Sequence, residues 1–167
     1  MTISAKNYIL NDVIAGKKML RMAYEILENN SNEKEIILAG IRESGSVVAG
    51  NIQNLLAGLS SVKTEIISIS LDKKHPNDVV LNKSINFNGK VIIVIDDVAN
   101  SGKTLLYALK PFLAWHPKKI QTLVLIDRTH KAFPIKPDYV GISIATTLQD
   151  HIYVEVDQDK IIGAYLK

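Results

Sequence analysis

Two adjacent carboxylates, Asp96 and Asp97, end a run of five apolar residues, Val91 to Ile95. A turn of small and polar residues follows, from Val98 and Ala99 through Asn100, Ser101 and Gly102, and then Lys103 and Thr104 open a second periodic segment. The order predicted is strand, turn, helix. Free backbone N–H groups and the positive end of the helix dipole both face whatever sits at such a turn, which makes it an anion site. Three chemistries compete for it. One is the triphosphate-binding pattern G-x-x-x-x-G-K-[ST], which Gly102-Lys103-Thr104 completes. Its first glycine is Asp97 here, a bulky acid facing the phosphates where the backbone wants glycine freedom. In the second, Asp96 and Asp97 accept hydrogen bonds from two sugar hydroxyls, and residues 100–104 wrap a single phosphate on that sugar. The third is an ordinary turn with solvated acids.

Other residues qualify by type. Gly40-Ile41-Arg42-Glu43-Ser44-Gly45 follows the short apolar strand 36–39 and precedes a helix expected over 46–56. Arg42 supplies a fixed charge, and Ser44 with the loop amides supplies neutral donors; the bland alternative is a surface arginine beside an ordinary turn. Asp127, Arg128, Thr129 and His130 end another apolar run, where Asp127 could pass for the acid of a P-loop protein. Tyr139-Val140-Gly141 offers a flat apolar wall with close backbone approach, on which a planar base could stack.

The elements that must position these residues alternate. A helix is expected over 11–28, capped by Asn11 or Asp12 and carrying an apolar stripe. Strands are expected at 36–39, 62–71, 91–95 and 120–126. Helices lie between them, the one over 105–115 kinked or divided at Pro111. Such alternation predicts α/β architecture with a mostly parallel sheet, and ligands at the carboxyl ends of its strands, where both anion turns lie. A terminal hairpin is expected from 152–156 and Ile161-Ile162, forming a small hood or a subunit contact. The 167 residues suffice for one domain spanning 1–167. With 47% hydrophobic and 22% charged residues the composition is that of an ordinary globular protein. No apolar stretch approaches bilayer length, and the first residues lack the apolar core of a signal peptide. With no cysteine, disulfides and thiolate metal sites are excluded. A net charge of +3 permits phosphate or RNA binding without arguing for it.

The spacing of acid pair and phosphate turn resembles the signature of type I phosphoribosyltransferases: four apolar residues, two acids, two mostly apolar residues, then a Ser/Thr-Gly-x-Thr loop. Over residues 8–157 the chain is similar to the pyrimidine operon attenuator proteins that are also uracil phosphoribosyltransferases. Gly40-Ile41-Arg42, the Asp127-Arg128-x-His130 segment and Pro134-Ile135-Lys136-Pro137-Asp138-Tyr139-Val140-Gly141 carry that similarity. It implies the type I phosphoribosyltransferase fold, with helices flanking the sheet and a C-terminal hood. It implies transfer of a 5-phosphoribosyl group from phosphoribosyl diphosphate to a nucleobase. Asp96, Asp97 and Arg42 would be catalytic, and residues 96–104 would bind the donor. Ile41, Arg42, Glu43, Ser44 and Lys73 would hold pyrophosphate, and Arg128, Tyr139 and Val140 the base. It also implies a non-proline cis peptide near Ile41–Arg42, Mg²⁺ bridging diphosphate and sugar oxygens, a homodimer and a cytoplasmic location. Residues 72–78 would be a lid carrying Lys73 or Lys74, the alternative being a solvated hairpin turn in which His75 is a surface residue. His130 or Arg128 would touch the base or brace the hood.

Two departures bear on the base. Purine phosphoribosyltransferases have a lysine where Asp127 stands and an acid–base aspartate where Asn100 stands. Asparagine takes no proton at neutral pH, and a pyrimidine with an acidic ring N–H needs less help, so uracil is the expected substrate. Ile144-Ala145-Thr146-Thr147 also differs from the Ile-Pro-Thr-Ser run of the attenuators. An alternative function is nucleotide-responsive RNA binding with little or no catalysis, although no stripe of basic and aromatic residues stands out.

Overall fold

The computed structural model describes residues 5–147 and 149–167. Nine strands and three α-helices occur among them: β1 (Asn7–Asn11), α1 (Asp12–Asn29), β2 (Glu35–Ile41), α2 (Ser44–Leu59), β3 (Lys63–Ser70), β4 (Val80–Leu81), β5 (Val91–Ala99), α3 (Lys103–Ala108), β6 (Lys119–Arg128), β7 (Tyr139–Ile144), β8 (Ile152–Asp157) and β9 (Lys160–Leu166). Six strands form one sheet in the order β4-β3-β2-β5-β6-β7, parallel except for the short edge strand β4.

The central strands carry unbroken apolar runs, Ile36–Ala39 in β2, Val91–Ile95 in β5 and Leu123–Ile126 in β6, because both faces are covered there. Ile36, Leu38, Ile93, Ile95 and Leu125 point to α1 and α2, meeting Met22, Ile26, Val48 and Ile52. Their alternates, Ile37, Ala39, Ile92, Val94 and Val124, pack with Leu105, Phe87 and Phe112. Asn11 caps α1, its side chain accepting from the Ile14 N–H at 2.8 Å. The expected long helix after the acid pair is shorter than its periodicity suggests. α3 stops at Ala108, and a 3₁₀ turn, Lys110–Phe112, takes Pro111 into its first turn. Proline would clash inside a continuing α-helix.

A second, antiparallel sheet of order β1-β9-β8 forms the hood. The hood is therefore built from both ends of the chain. Leu10, Ile161 and Ala164 are buried in the core under it, while Tyr8, Tyr165 and Tyr153 form a row across its strands. No helix among the described residues is long and apolar enough to cross a membrane.

Candidate active site

The carboxyl ends of β2 and β5 lie side by side, Gly40 opposite Ile95. Gly45, the second residue of α2, sits directly against β5. A Cβ there would come within 2.7 Å of the Ile95 carbonyl oxygen and 3.0 Å of Asp96 Cα. Glycine is what lets the Arg42 turn close onto the acid pair. The turn holds a cis peptide at Arg42–Glu43, one residue later than expected. Arg42 and Glu43 are exposed, Ser44 is half-buried, and Ile41 is buried, so Ile41 offers backbone only. Arg42 makes no ion pair among the described residues. The start of α2 has no side-chain cap, which leaves its first amides open to an anion.

Asp96 is 1% exposed and Asp97 is half-buried. The Asp97 N–H donates to Asp96 Oδ1 at 2.9 Å, and the Val98 N–H donates to Asp97 Oδ1 at 2.8 Å. Asp96 Oδ2 is buried without a hydrogen-bond partner among the described residues. Burial, reinforced by the neighbouring Asp97 charge, pushes the Asp96 carboxyl well above the usual carboxylate range, and Lys73 opposes this. The Lys73 ammonium lies 3.7 Å from Asp96 Oδ1. An orphaned buried oxygen of this kind is costly unless a ligand's donor meets it.

Past the acids, residues 98–105 and Lys73 enclose a small recess of about 50 Å³. Gly102 has φ +88°, and a Cβ on it would meet Ile135 Cγ2 at 2.7 Å. The turn is held from the far side as well. The Ala132 and Phe133 N–H groups both donate to the Ser101 carbonyl, at 3.0 and 3.1 Å. Lys103 Nζ donates to the Lys74 carbonyl at 3.4 Å, tying residues 72–78 to the turn. That segment joins β3 to β4, so it is a hairpin connection that also covers the recess. Lys73, and not Lys74, is the lysine it presents to the acids, while His75 is exposed. Because α3 has only six residues, loop amides and the Ser101 and Thr104 hydroxyls are the donors that matter here.

A larger cavity of about 310 Å³ adjoins the recess, and Asn100 and Ser101 line both. Arg128, His130, Lys131 and Thr146 also line it. Arg128 is a brace, donating to the Thr147 carbonyl at 2.7 Å and to Asn100 Oδ1 at 3.4 Å.

Tyr139 and Val140 are not part of this cavity, which corrects the expectation drawn from the sequence. They open β7, and the strand's carboxyl end at Ile144 lies five residues beyond Tyr139, roughly 16 Å along the strand. Tyr139 is wholly buried and its hydroxyl donates to Gln121 Oε1 at 2.9 Å. The Val140 carbonyl accepts from Arg21 at 2.9 Å. The two residues form no common wall: Tyr139 packs on the α1 side of the sheet and Val140 on the opposite side, toward Leu105 and Phe112. Lys131 and Thr146 line the cavity instead. The Asp127–Lys131 pair forms because the chain turns back after β6, which spacing outside a helix does not signal, and Thr146 stands out in the sequence only as part of the Ile144–Thr147 run.

Among the described residues no cluster of three or more His, Cys, Asp or Glu could hold a metal. The Asp96–Asp97 pair fits a cation carried mainly by a substrate's phosphates, since Mg²⁺ commonly binds one or two carboxylates and keeps phosphate and water ligands.

A phosphoribosyl transferase domain model matches residues 9–159. The chain is 30% identical to the Bifunctional protein PyrR of Streptococcus pneumoniae (strain CGSP14), over 92% of this chain and 94% of that protein. Its fold is similar to a hypoxanthine-guanine phosphoribosyltransferase of Bacillus anthracis, with TM-score 0.76, 22% identity and coverage of 95% and 96% of the two chains. It is also similar to the hypoxanthine phosphoribosyltransferase of Trypanosoma cruzi, with TM-score 0.81, 14% identity and 98% coverage of both.

Proposed function

The chain belongs to the phosphoribosyl transferase domain family, and we propose that it transfers the 5-phosphoribosyl group of phosphoribosyl diphosphate to uracil, giving UMP and pyrophosphate. The observation that carries this reading is the Asp96–Asp97 pair, with one buried oxygen unpartnered, set between a polar recess and the Arg42 turn. Asp96 and Asp97 accept from the 2- and 3-hydroxyls. As the bond from the sugar carbon to pyrophosphate breaks, positive charge develops on the ring, and the two carboxylates stabilise it. The Val98–Thr104 turn anchors the 5-phosphate. Arg42, Lys73, Ser44 and the amides around Ile41 and Glu43 hold the departing pyrophosphate. The base nitrogen forms the new bond to the sugar carbon as the bond to pyrophosphate breaks, and its proton passes to the departing pyrophosphate or to water. Asn100 takes no proton, which favours a base with an acidic N–H. Mg²⁺, when bound, would supply positive charge against the diphosphate, and Asp96 and Asp97 are the carboxylates that would hold it.

The test is pyrophosphate release from phosphoribosyl diphosphate with a panel of free bases. Uracil is expected to turn over fastest. No release with any base would overturn the reading. The resemblance of Gly40–Arg42 and of residues 127–141 to the pyrimidine operon attenuators favours a second role, nucleotide-responsive binding of RNA from pyrimidine genes, and the relative above is named bifunctional. A specific, salt-dependent gel shift with pyrimidine-leader RNA tests it. The reading also carries a homodimer, checked by sedimentation, and a cytoplasmic location, checked by fractionation.

A further inference from the structure

The cavity beside the phosphate turn contains two polar groups that the transfer chemistry above does not use. Lys131 is only 18% exposed and lies against the Asp127 carboxylate at 2.5 Å. It also donates to the Arg128 carbonyl. An ammonium has three N–H donors, so one remains. Thr146 lines the same cavity, and its Oγ1 is buried without a partner among the described residues. Arg128, the other cation there, is engaged with Thr147 and Asn100.

Given that the protein transfers a phosphoribosyl group to a base, as proposed above, we infer that Lys131 and Thr146 read the base edge and select an oxo base over an amino base. The charge balance sets the type of ligand. Asp127 already neutralises Lys131 and Arg128 is taken up by the Thr147 carbonyl and Asn100, so the remaining N–H of Lys131 suits a neutral acceptor. A carbonyl next to a ring N–H supplies what the two groups need. The carbonyl accepts from the ammonium, and the N–H donates to the threonine oxygen. Uracil presents that edge, and so does a 6-oxopurine. Cytosine and adenine place an amino group there, and two donors then face each other.

The same segment fixes where the ring must lie. The Lys131 stem passes over Gly102, its Cδ 3.4 Å from where a Cβ would stand. The next two residues, Ala132 and Phe133, hold the Ser101 carbonyl. The base reader is thus fastened directly to the turn that anchors the sugar phosphate, so a ring held by Lys131 sits at a set offset from the sugar carbon.

Two substitutions test the assignment, Lys131→Met and Thr146→Val, with Asp127→Asn/Lys131→Met as the control for a carboxylate left unpaired. Each is expected to raise KM for uracil by roughly 10- to 100-fold and to narrow the uracil-over-cytosine ratio of kcat/KM. The rise in Tm given by phosphoribosyl diphosphate should stay as in the wild type. Affinities for UMP and CMP are measured in parallel, since these need no turnover. If the wild type turns over uracil and the variants keep its KM, the inference falls while the transfer reading stands. If the wild type turns over no base, yet binds UMP above CMP and Lys131→Met erases the preference, transfer falls and the base-edge assignment stands. Equal wild-type affinity for UMP and CMP overturns the inference outright.

Discussion

The turns after β2 and β5 lie on neighbouring strands and follow one plan, yet they differ chemically in nearly every respect. The first ends in exposed Arg42 and leads into a helix of 16 residues without a side-chain cap. The second carries a buried carboxylate and leads, through a left-handed glycine, into a helix of six. A long helix adds its dipole to a turn whose cation, Arg42, is an exposed side chain. A short helix adds little, so the second turn is stiffened from outside, by Ala132 and Phe133 on the Ser101 carbonyl and by Ile135 against Gly102. On the proposed function, one turn is an open receiver for an anion that must leave, and the other a fixed cradle for the part of the substrate that stays.

Breaking the cradle should have the largest effect. Asp97→Asn keeps the side-chain shape but removes a charge that, on the proposed mechanism, stabilises the positive charge developing on the sugar. A fall in kcat of roughly 10²- to 10³-fold is expected, read as pyrophosphate release. A wild-type rate would mean that Asp97 does not face the sugar.

The junction between the turns comes next. Gly45→Ala places a Cβ 2.7 Å from a backbone carbonyl of β5, and backbone cannot swing aside as a side chain can. We expect about 1–3 kcal/mol of destabilisation by chemical denaturation, with weaker binding of phosphoribosyl diphosphate. Gly102→Ala meets only the end of Ile135 but must hold φ +88°, and its damage should fall on donor binding more than on stability. Equal loss of stability in both would show that the second turn, too, is locked by backbone contact.

Much of this contrast was legible in the sequence, and the rest was hidden for physical reasons. Val91 to Ile95 reads as a doubly buried strand because both of its faces are covered, and the acids that end that run announce themselves by breaking it. The parallel sheet followed from the alternation of apolar runs and periodic segments. Tyr139 misled because an aromatic next to glycine reads alike as a ligand wall or as core, and only the strand register separates them. β1 escaped notice because five residues carry little periodic signal, and its partner β9 lies at the other end of the chain. The clamp on Ser101 is made by backbone N–H groups, which every residue but proline has, so no side-chain pattern marks it.

A smaller effect is expected at the receiver. Arg42 is exposed, so Arg42→Ala should leave Tm unchanged and lower kcat/KM for phosphoribosyl diphosphate by roughly tenfold, the order of one charge-assisted hydrogen bond. If Tm falls as well, the arginine also holds the turn, and the receiver is less open than its exposure suggests.

The smallest effect expected is one of stability, and it separates the turns most cleanly, because only the cradle holds a strained charge. Burial and the Asp97 charge raise the Asp96 pKa in the folded protein. Between the unfolded value, about 4, and that raised value, the folded state binds more protons than the unfolded state, so stability falls as pH rises. Below about pH 4 Asp96 is protonated in both states and the penalty vanishes. Asp96→Asn removes the titration altogether. The variant, crippled in catalysis, should therefore melt above the wild type at pH 7, by roughly 2–4 °C for each kcal/mol relieved, and the gap should close toward pH 4. Phosphoribosyl diphosphate should reverse the order, since its hydroxyls meet the unpartnered oxygen only in the wild type. A variant that melts lower at pH 7 would show that Lys73 more than offsets the burial of Asp96, and that the cradle is a stable ion pair in the absence of ligand.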